Sequence, residues 1–346
     1  MDPSTTVVLV IIVALLFDFT NGWNDSANSI ATVVSTRVLR PMTAVLFAAV
    51  LNFAGAFAST AIAKMIGRGI VDPNAFANPL DMQPVLFAAM LAAASWVGYC
   101  SIRGLPISAS HSLIGALVGS AVAAKGIAAI VPSGFIKIIL ALLASPVLGF
   151  LLSYALLVGL FWSSRPLTYR AGQRVYGVLQ ILSSGFMSFQ HGQNDAQKVM
   201  GVIAISLFAG GFLHDDSGAV ITNTDQLYIP LWVIVLCGSV IATGTAAGGW
   251  RVIRTLGSKL ARLTPVEGFA AETGAGMVLQ LAAGFGVPVS TTHTITGSIF
   301  GVGSVRSLKA VRWMLGAQIA YAWVLTLPAT FVIAFMTSWL LQRILG

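Results

Sequence analysis

The sequence predicts an all-α polytopic membrane protein that consists of two inverted repeats, with broken helices and Pro-Ser helical hairpins at the bilayer midplane. Three observations lead to this fold class. The 346 residues are 57% hydrophobic and only 9% charged, whereas a soluble domain carries about 25% charged residues. Apolar runs of roughly 20 residues, long enough to cross the hydrocarbon core, recur along the chain. Two polar motifs interrupt these runs, and each motif occurs twice in the same order.

The first polar motif lies inside the apolar segment 5–39. Within it, the run 17–28 holds two carboxylates and three amides, which are Asp18, Asp25, Asn21, Asn24 and Asn28. An aspartate at the bilayer centre costs about 2.5–3.5 kcal/mol on insertion scales, so such a residue indicates a function. The segment is too long for one straight crossing. Gly22 and the polar cluster therefore predict a break into two half-helices at mid-depth.

The same motif recurs in the segment 175–213. Asn194-Asp195 repeats Asn24-Asp25 at an offset of 170 residues, and a phenylalanine and a glycine that precede it match at the same offset. A polar patch on a seam between two helices would explain a single copy. The recurrence favours a paired functional site instead, and it predicts a second broken helix here.

The second motif is a Gly-x-Pro-x-Ser turn that precedes an apolar run. It occurs at 104–115 and again at 286–297, with Gly, Pro, Ser, His and Gly aligned at an offset of 182 residues. A helix N-terminus lined with hydroxyl groups favours an anion, through its free N–H groups and its dipole. A capped helix start is the simpler alternative for one copy. His111 and His293 could relay protons, but bracing of the turns is the favoured role.

The remaining apolar runs complete the two repeats. They predict further helices at 42–66, 83–102, 113–130, 133–162, 228–247, 268–285 and 313–341. Each repeat then has five crossings, and an odd number inverts the second copy relative to the first. If the Pro-Ser turns are fully re-entrant, the number of crossings per repeat is even, and a parallel repeat is the alternative topology. The predicted domains are a first transmembrane repeat at 1–163, a cytoplasmic linker at 164–174 and a second transmembrane repeat at 175–346.

The net charge of +8 has a topological explanation. With the N-terminus outside, 13 of the 19 Lys and Arg residues fall at the inner ends of the spans and five at the outer ends. The positive-inside rule therefore predicts a multi-pass protein of the cytoplasmic (inner) membrane with both termini outside, and no nucleic acid partner. The start Met-Asp-Pro lacks the basic region of a signal peptide.

The chemistry of the two motifs points to transport. Aspartate and asparagine oxygens suit a hard cation such as Na⁺, and a carboxylate can alternatively carry a proton. The hydroxyl and N–H donors of the turns suit an oxyanion. The combination favours cation-coupled anion uptake. The sequence has no nucleophile–base pair at a motif spacing and no Walker loop, so we expect neither an enzyme nor a cofactor other than the coupling Na⁺ or H⁺.

At this point the motifs resemble a known family. The stretch 22–28, Gly-Trp-Asn-Asp-Ser-Ala-Asn, resembles the Gly-x-Asn-Asp-x-Ala-Asn signature of the inorganic phosphate transporter (PiT) family, and 192–198 is similar to its second copy. The two Pro-x-Ser-x-Ser/Thr-His turns are similar to the hairpins of that family. The resemblance implies that inorganic phosphate faces Ser108, Ser110, Ser290, Thr291 and Thr292. It implies that the coupling cation faces Asn24, Asp25, Asn28, Asn194 and Asp195.

The resemblance also sets the remaining expectations. Asp25 and Asp195 would be the metal ligands if the cation is Na⁺. Possible modulators of the site are Gln193, Gln197, Lys198, Glu272, His111 and His293. The second copy has Gln197-Lys198 where the first has Ala27-Asn28, so we expect an asymmetric site. The alternatives are a sulfate symporter of the same superfamily and a passive anion channel. Other expected partners are membrane lipid and, in a homodimer, a second copy of the chain.

Overall fold

The structure, a computed structural model, describes residues 2–166, 168–215 and 217–345, apart from the side chains of Ser258, Lys259 and Leu345. Helices account for most of this part of the chain. They are α1 (Pro3–Ser35), α2 (Pro41–Gly55), α3 (Ala61–Gly69), α4 (Met82–Arg103), α5 (Ala109–Lys125), α6 (Pro132–Ser163), α7 (Tyr169–Ala209), α8 (Leu231–Ala247), α9 (Trp250–Arg254), α10 (Pro265–Gly284), α11 (Thr291–Arg306) and α12 (Trp313–Leu345).

The two Pro-Ser turns form as predicted. Gly104 follows α4 in the left-handed conformation, with φ of 73°, and Gly286 follows α10 with φ of 65°. A few extended residues then lead to Ser108 and Ser290, each of which caps the next helix by accepting a hydrogen bond from the backbone N–H three residues later. The preceding and following helices pack against each other in both cases, so each turn closes a helical hairpin.

The predicted breaks at the Asn-Asp motifs are wrong. The first lies inside the continuous helix α1, and the second inside the continuous helix α7. An α-helix satisfies its own backbone groups whatever its side chains are, so polar residues can line one without opening it. Gly22 and Gly192 serve close packing instead of a break. A Cβ on Gly22 would collide with the carbonyl oxygen of Ile241 in α8, and one on Gly192 with that of Asn52 in α2.

A break occurs where the sequence predicts one span at 42–66. That segment splits into α2 and α3, separated by residues 56–60. The amide oxygen of Gln197 accepts hydrogen bonds from the backbone N–H groups of Ile62 and Ala63, at 2.9 and 3.2 Å. Gln197 therefore caps a helix start in the protein interior, which no local pattern in 42–66 indicates. The helix predicted at 113–130 also differs, because α5 starts at Ala109 and ends at Lys125.

Few helices have the length and apolar composition of a membrane span. Among the described residues, four helices qualify: α1, α4, α6 and α12. A fifth span would combine α8 with the segment that follows it, across a bend of 60°. The other helices are shorter or carry many polar residues. The predicted count of ten crossings therefore stays a prediction.

The interior has two apolar clusters separated by a polar layer. Residues 7–17 of α1 belong to the first cluster together with residues 196–209 of α7. Residues 27–33 of α1 belong to the second cluster. Val7 lies beside Gly210 at the end of α7, and the hydroxyl of Ser184 donates to the carbonyl of Ser29. Helices α1 and α7 therefore run antiparallel, and both Asn-Asp motifs lie in the layer between the clusters.

The two halves of the chain exchange their packing partners. Helix α1 packs against α8 while α7 packs against α2, and α5 packs against α12 while α11 packs against α6. Each half thus completes the other, because the hairpin helix of one half rests on the last helix of the other. The functional motifs of both halves are brought together at the centre by this exchange.

The close approach of α7 to α2 gives a stability prediction. We expect Gly192→Ala to destabilise the protein by about 1–3 kcal/mol, because the added methyl group overpacks against the backbone of α2. The measurement is the midpoint of thermal unfolding of the purified protein in detergent. Gly159→Ala in α6 is the matched control, since its Cβ would meet no described atom within 4 Å. Equal midpoints for the two variants would contradict the packing argument.

Candidate functional site

The two motif aspartates lie on facing helices at the centre of the protein. Asp25 comes from α1 and Asp195 from α7, and both are almost completely buried. His191, one turn before Asp195, points its Nε2 atom between them, at 3.3 Å from Asp195 Oδ2 and 3.9 Å from Asp25 Oδ2. Ligand atoms of these three residues lie within 4.8 Å of one another. Together with Lys198 we call them the carboxylate cluster.

The two carboxylates have different surroundings. Lys198 Nζ lies 2.6 Å from Asp195 Oδ1, and both side chains are buried. The amide of Asn194 donates to the same oxygen at 2.8 Å. Asp25 has no lysine at hydrogen-bond distance among the described residues. Lys198, on the same helix, therefore compensates the charge of Asp195, whereas the charge of Asp25 has no such partner and can attract a bound cation.

The three asparagines predicted to bind the cation, Asn24, Asn28 and Asn194, each have a side-chain oxygen that accepts no hydrogen bond from the described residues. Each uses its Nδ2 group to hold another element: Asn24 donates to Ser101, Asn28 to Thr292 and Asn194 to the carbonyl of Val289. No described residue donates a hydrogen bond to Oδ1 of any of the three. Buried polar atoms are nearly always partnered. Oxygens left free beside two carboxylates are suitable ligands for a hard cation.

The second Pro-Ser turn contacts the carboxylates directly. The hydroxyl of Thr291 lies 3.0 Å from Asp25 Oδ2 and 3.4 Å from Asp195 Oδ2, and that of Thr292 lies 3.2 Å from Asp25 Oδ1. The two threonines are predicted anion donors, whereas the two aspartates are predicted cation ligands. The structure brings the two groups into contact in one site.

The first Pro-Ser turn reaches the second through its own hydroxyl. Ser110 donates to the carbonyl of Val289 at 2.9 Å. Ser108 and Ser290 accept backbone N–H groups as helix caps, which leaves their hydroxyl hydrogens free to donate to another acceptor. The two turns that carry the five predicted hydroxyl groups are therefore in direct contact.

The rings of the two motif histidines lie against each other between the turns. Their ring centroids are 4.6 Å apart, and the ring of His293 lies 3.8 Å from that of Trp323 in α12. Trp323 donates its indole N–H to the carbonyl of Pro106 in the first turn, at 3.0 Å. These contacts join both turns to α12, which is the geometry that a bracing role requires.

The remaining predicted modulators lie around this centre. Lys198 belongs to the carboxylate cluster, whereas Gln197 caps α3, and its amide donates to the carbonyl of Gln193 at 2.6 Å. Glu272 accepts hydrogen bonds from Thr32 of α1 and Ser183 of α7. Thr32 lies one turn beyond Asn28, so Glu272 forms a separate polar contact at a different depth.

Sequence reasoning missed two members of the site, His191 and Asn52. Nδ1 of His191 lies 3.0 Å from Oδ1 of Asn52, whose amide donates to Thr245 at 2.8 Å. His191 stands four residues before Asp195, on the same helical face, so its spacing is a signal that sequence alone could have used. Asn52 gives no such signal, because it is a single polar residue in an apolar helix.

The site is closed in this conformation. The carboxylate cluster and the five hydroxyl residues are each at most 2% exposed. An ion or anion can therefore reach them only after the surrounding helices move.

Comparisons with known proteins agree on one family. A profile of the phosphate transporter family matches residues 21–172 and 164–334. A probable low-affinity inorganic phosphate transporter of Rhizobium meliloti (strain 1021) is 45% identical over 329 residues, which cover 95% of this chain and 94% of that protein. One of Bacillus subtilis (strain 168) is 40% identical and covers 97% of both. A solved structure, the sodium-dependent phosphate transporter, matches with a TM-score of 0.86 and 26% identity, over 98% of this chain and 100% of that one.

The buried ion pair gives a second stability prediction. We expect Lys198→Met to destabilise the protein by about 3–5 kcal/mol, because Asp195 keeps a buried charge without its partner. Lys198→Met combined with Asp195→Asn should recover most of the loss. Arg68→Met is the control, because the pair of Arg68 with Asp225 is exposed and such pairs contribute at most about 1 kcal/mol. Thermal unfolding midpoints of the variants test this; equal effects at Lys198 and Arg68 would contradict it.

Proposed function

Because the chain belongs to the phosphate transporter family, we propose that it carries inorganic phosphate across the membrane in symport with Na⁺, by alternating access. The family establishes that it is a membrane transporter and not an enzyme. The substrate of this chain, its coupling ion and its site residues are parts of the proposal. Phosphate binds at the five hydroxyl groups of the two Pro-Ser turns, and the cation binds at the Asn-Asp motifs.

The contact between threonine hydroxyls and carboxylates is the observation that carries this proposal. Thr291 and Thr292 donate to Asp25, so in this conformation their hydrogens are not available to an anion. A bare carboxylate at this distance would also repel phosphate. A cation on Asp25 removes the repulsion and takes over its oxygens, which frees both hydroxyls for phosphate. Each ligand thus favours the binding of the other, and this reciprocity is the basis of coupling.

Two observations support Na⁺ as the cation. The site offers carboxylate and amide oxygens, and three of the amide oxygens accept no hydrogen bond from the described residues. A proton on a carboxylate would supply a single O–H donor, which could partner at most one of the three amide oxygens. The structural neighbour is a sodium-dependent phosphate transporter. Because Asp195 already has Lys198 as a partner, Asp25 is the stronger sodium ligand in this proposal.

The proposal includes the inverted topology. The antiparallel course of α1 and α7 and the exchanged packing of the two halves are the arrangement that inverted repeats require. The excess of basic residues at one set of helix ends supports an orientation with both termini outside the cytoplasmic membrane. The two hairpins would then open the site alternately to the two sides.

The decisive experiment is uptake of labelled phosphate into proteoliposomes, with Na⁺ and pH gradients imposed separately. We expect accumulation above equilibrium with an inward Na⁺ gradient alone, and little inhibition by unlabelled sulfate. Accumulation driven only by the pH gradient would show that the coupling ion is H⁺ and not Na⁺. Efficient competition by sulfate would indicate that the protein is a sulfate symporter. Uptake that never exceeds equilibrium would indicate a channel and would refute symport.

Variants of the site test the assignment of roles. We expect Ser110→Ala and Thr292→Ala each to weaken phosphate affinity about tenfold, since a hydrogen bond to a charged acceptor contributes roughly 1.5–3 kcal/mol. Asp25→Asn and Asp195→Asn should both abolish concentrative uptake. We expect Asp25→Asn to alter the Na⁺ dependence of the remaining transport at least as severely as Asp195→Asn does. Ser120→Ala is the control, because its buried hydroxyl lies on the same helix as Ser110 but bonds only to its own helix, at Leu117. Initial uptake rates against phosphate and Na⁺ concentration measure both effects.

A further inference from the structure

A cavity of about 370 Å³ lies at the end of the second hairpin that is opposite to its Pro-Ser turn. The segment before α10, the first turn of α10, the last turn of α11 and the residues that lead into α12 enclose it. Thr291 and Arg306 are the first and last residues of α11, so they are about 22 Å apart along that helix. Ligand pockets have volumes of about 300–1,000 Å³. The cavity can therefore hold a small ligand, and it is separate from the carboxylate cluster.

Three arginines from three separate segments line this cavity, which we call the arginine cavity. Arg262 precedes α10, Arg306 ends α11 and Arg312 precedes α12. Glu267 is the one carboxylate among the described lining residues, so the wall has an excess of two positive charges. Like charges repel one another, and an anion between them removes the repulsion. A cleft lined by one sign of charge also concentrates ions of the opposite sign.

Glu267 cannot compensate the other two arginines, because both of its oxygens are already engaged. Its Oε1 lies 2.7 Å from Nε of Arg306, and its Oε2 accepts hydrogen bonds from the backbone N–H and the hydroxyl of Thr264, each at 2.7 Å. Arg262 and Arg312 form no ion pair with any residue in the described ranges. A guanidinium group has five N–H donors, so donors of all three arginines are available to a bound anion.

The positive-inside rule alone does not explain this convergence. The rule requires basic residues on one side of the membrane, but it does not require them around one cavity. Other arginines at the same set of helix ends lie on aromatic rings of their own segments, Arg103 over Tyr99 and Arg165 over Trp162. The planar fork of arginine matches the oxygens of a phosphate group in two parallel hydrogen bonds. Several arginines around one cavity therefore indicate a phosphate ligand.

We propose that the arginine cavity binds inorganic phosphate on the inner side of the membrane and that its occupation slows transport. A phosphate bound there contacts the segment before α10, the end of α11 and the start of α12 together, so it holds the second hairpin against α12. In the proposed function this hairpin has to move for the central site to open. Internal phosphate thus limits further uptake. The effect on transport rests on the proposed function and orientation, whereas the binding of phosphate to the cavity rests on neither.

The first test is equilibrium binding of radioactive phosphate to the purified full chain in nanodiscs of zwitterionic phosphatidylcholine, in a potassium buffer without Na⁺. In the proposed function the central site needs Na⁺ to bind phosphate, so binding without Na⁺ reports on the arginine cavity. We expect Arg262→Gln and Arg312→Gln each to weaken this binding about tenfold, because each removes a charged hydrogen-bond donor. Arg103→Gln is the matched control. It removes the same charge at the same set of helix ends but outside the cavity, and it should bind phosphate as tightly as the wild type.

The second test measures initial Na⁺-driven uptake into proteoliposomes in which the basic helix ends face the lumen. We expect lumenal phosphate to inhibit the wild type and Arg103→Gln at concentrations about tenfold lower than those needed for Arg262→Gln or Arg312→Gln. The KM for external phosphate should be the same in all four proteins, since the central site is unchanged. Equal sensitivity of all four proteins to lumenal phosphate would overturn the inhibitory role.

Three results of the binding test would overturn the arginine cavity as a phosphate site. Equal weakening by Arg103→Gln would indicate general charge attraction, and loss of binding in Ser110→Ala alone would place the phosphate at the Pro-Ser turns. Loss of binding in nanodiscs that contain anionic phosphatidylglycerol would assign the cavity to a lipid headgroup. If the wild type accumulates no phosphate on a Na⁺ gradient, the proposed function and the inhibitory role fail. The binding test in Na⁺-free buffer then still decides the cavity, so the two failures are distinguishable.

Discussion

The burial of carboxylates with too few positive charges is the constraint on which the centre of this protein depends. Asp25 and Asp195 lie in a closed interior, where Lys198 pairs with Asp195 and the hydroxyl of Thr291 in the second hairpin contacts Asp25. Burial makes each charge costly unless it is paired. In the proposed function, cations stabilise this interior when they enter it, and the anion follows once they have done so. In the proposed mechanism this dependence is the coupling itself, and no separate coupling device is needed.

The arrangement needs helices that approach closely without losing their own hydrogen bonds. Glycines at the contacts of α1 with α8 and of α7 with α2 bring backbone next to backbone, and the helices pass through the polar layer intact. Polar side chains can then point from continuous helices toward one centre. The backbone leaves the helix instead at the two Pro-Ser turns and between α2 and α3.

The two halves share a framework but differ in charge. Lys198 stands where the first half has Asn28, and Asn52 stands where the second half has Ile241. The first difference gives Asp195 a buried lysine that Asp25 lacks, and the second gives Nδ1 of His191 a partner in Asn52 where Asn21 has none among the described residues. Only the first difference changes the charge, and it makes the surroundings of Asp25 more negative than those of Asp195. Two repeats of similar shape thus give their two motif aspartates unequal surroundings.

The sequence by itself determined the membrane class, the repeated motifs, the helical hairpins with their serine caps, and the residue types at the centre. These features are local, since a capped turn or an apolar run depends on neighbours along the chain. Only the tertiary structure decided that α1 and α7 stay unbroken, that Gln197 caps α3 and that Thr291 contacts Asp25. Each of these depends on partners more than 100 residues away in the sequence or on another helix, so no local pattern encodes them. The missing partners of Asp18 and Asn21 are likewise visible only when the packed helices show which donors reach them.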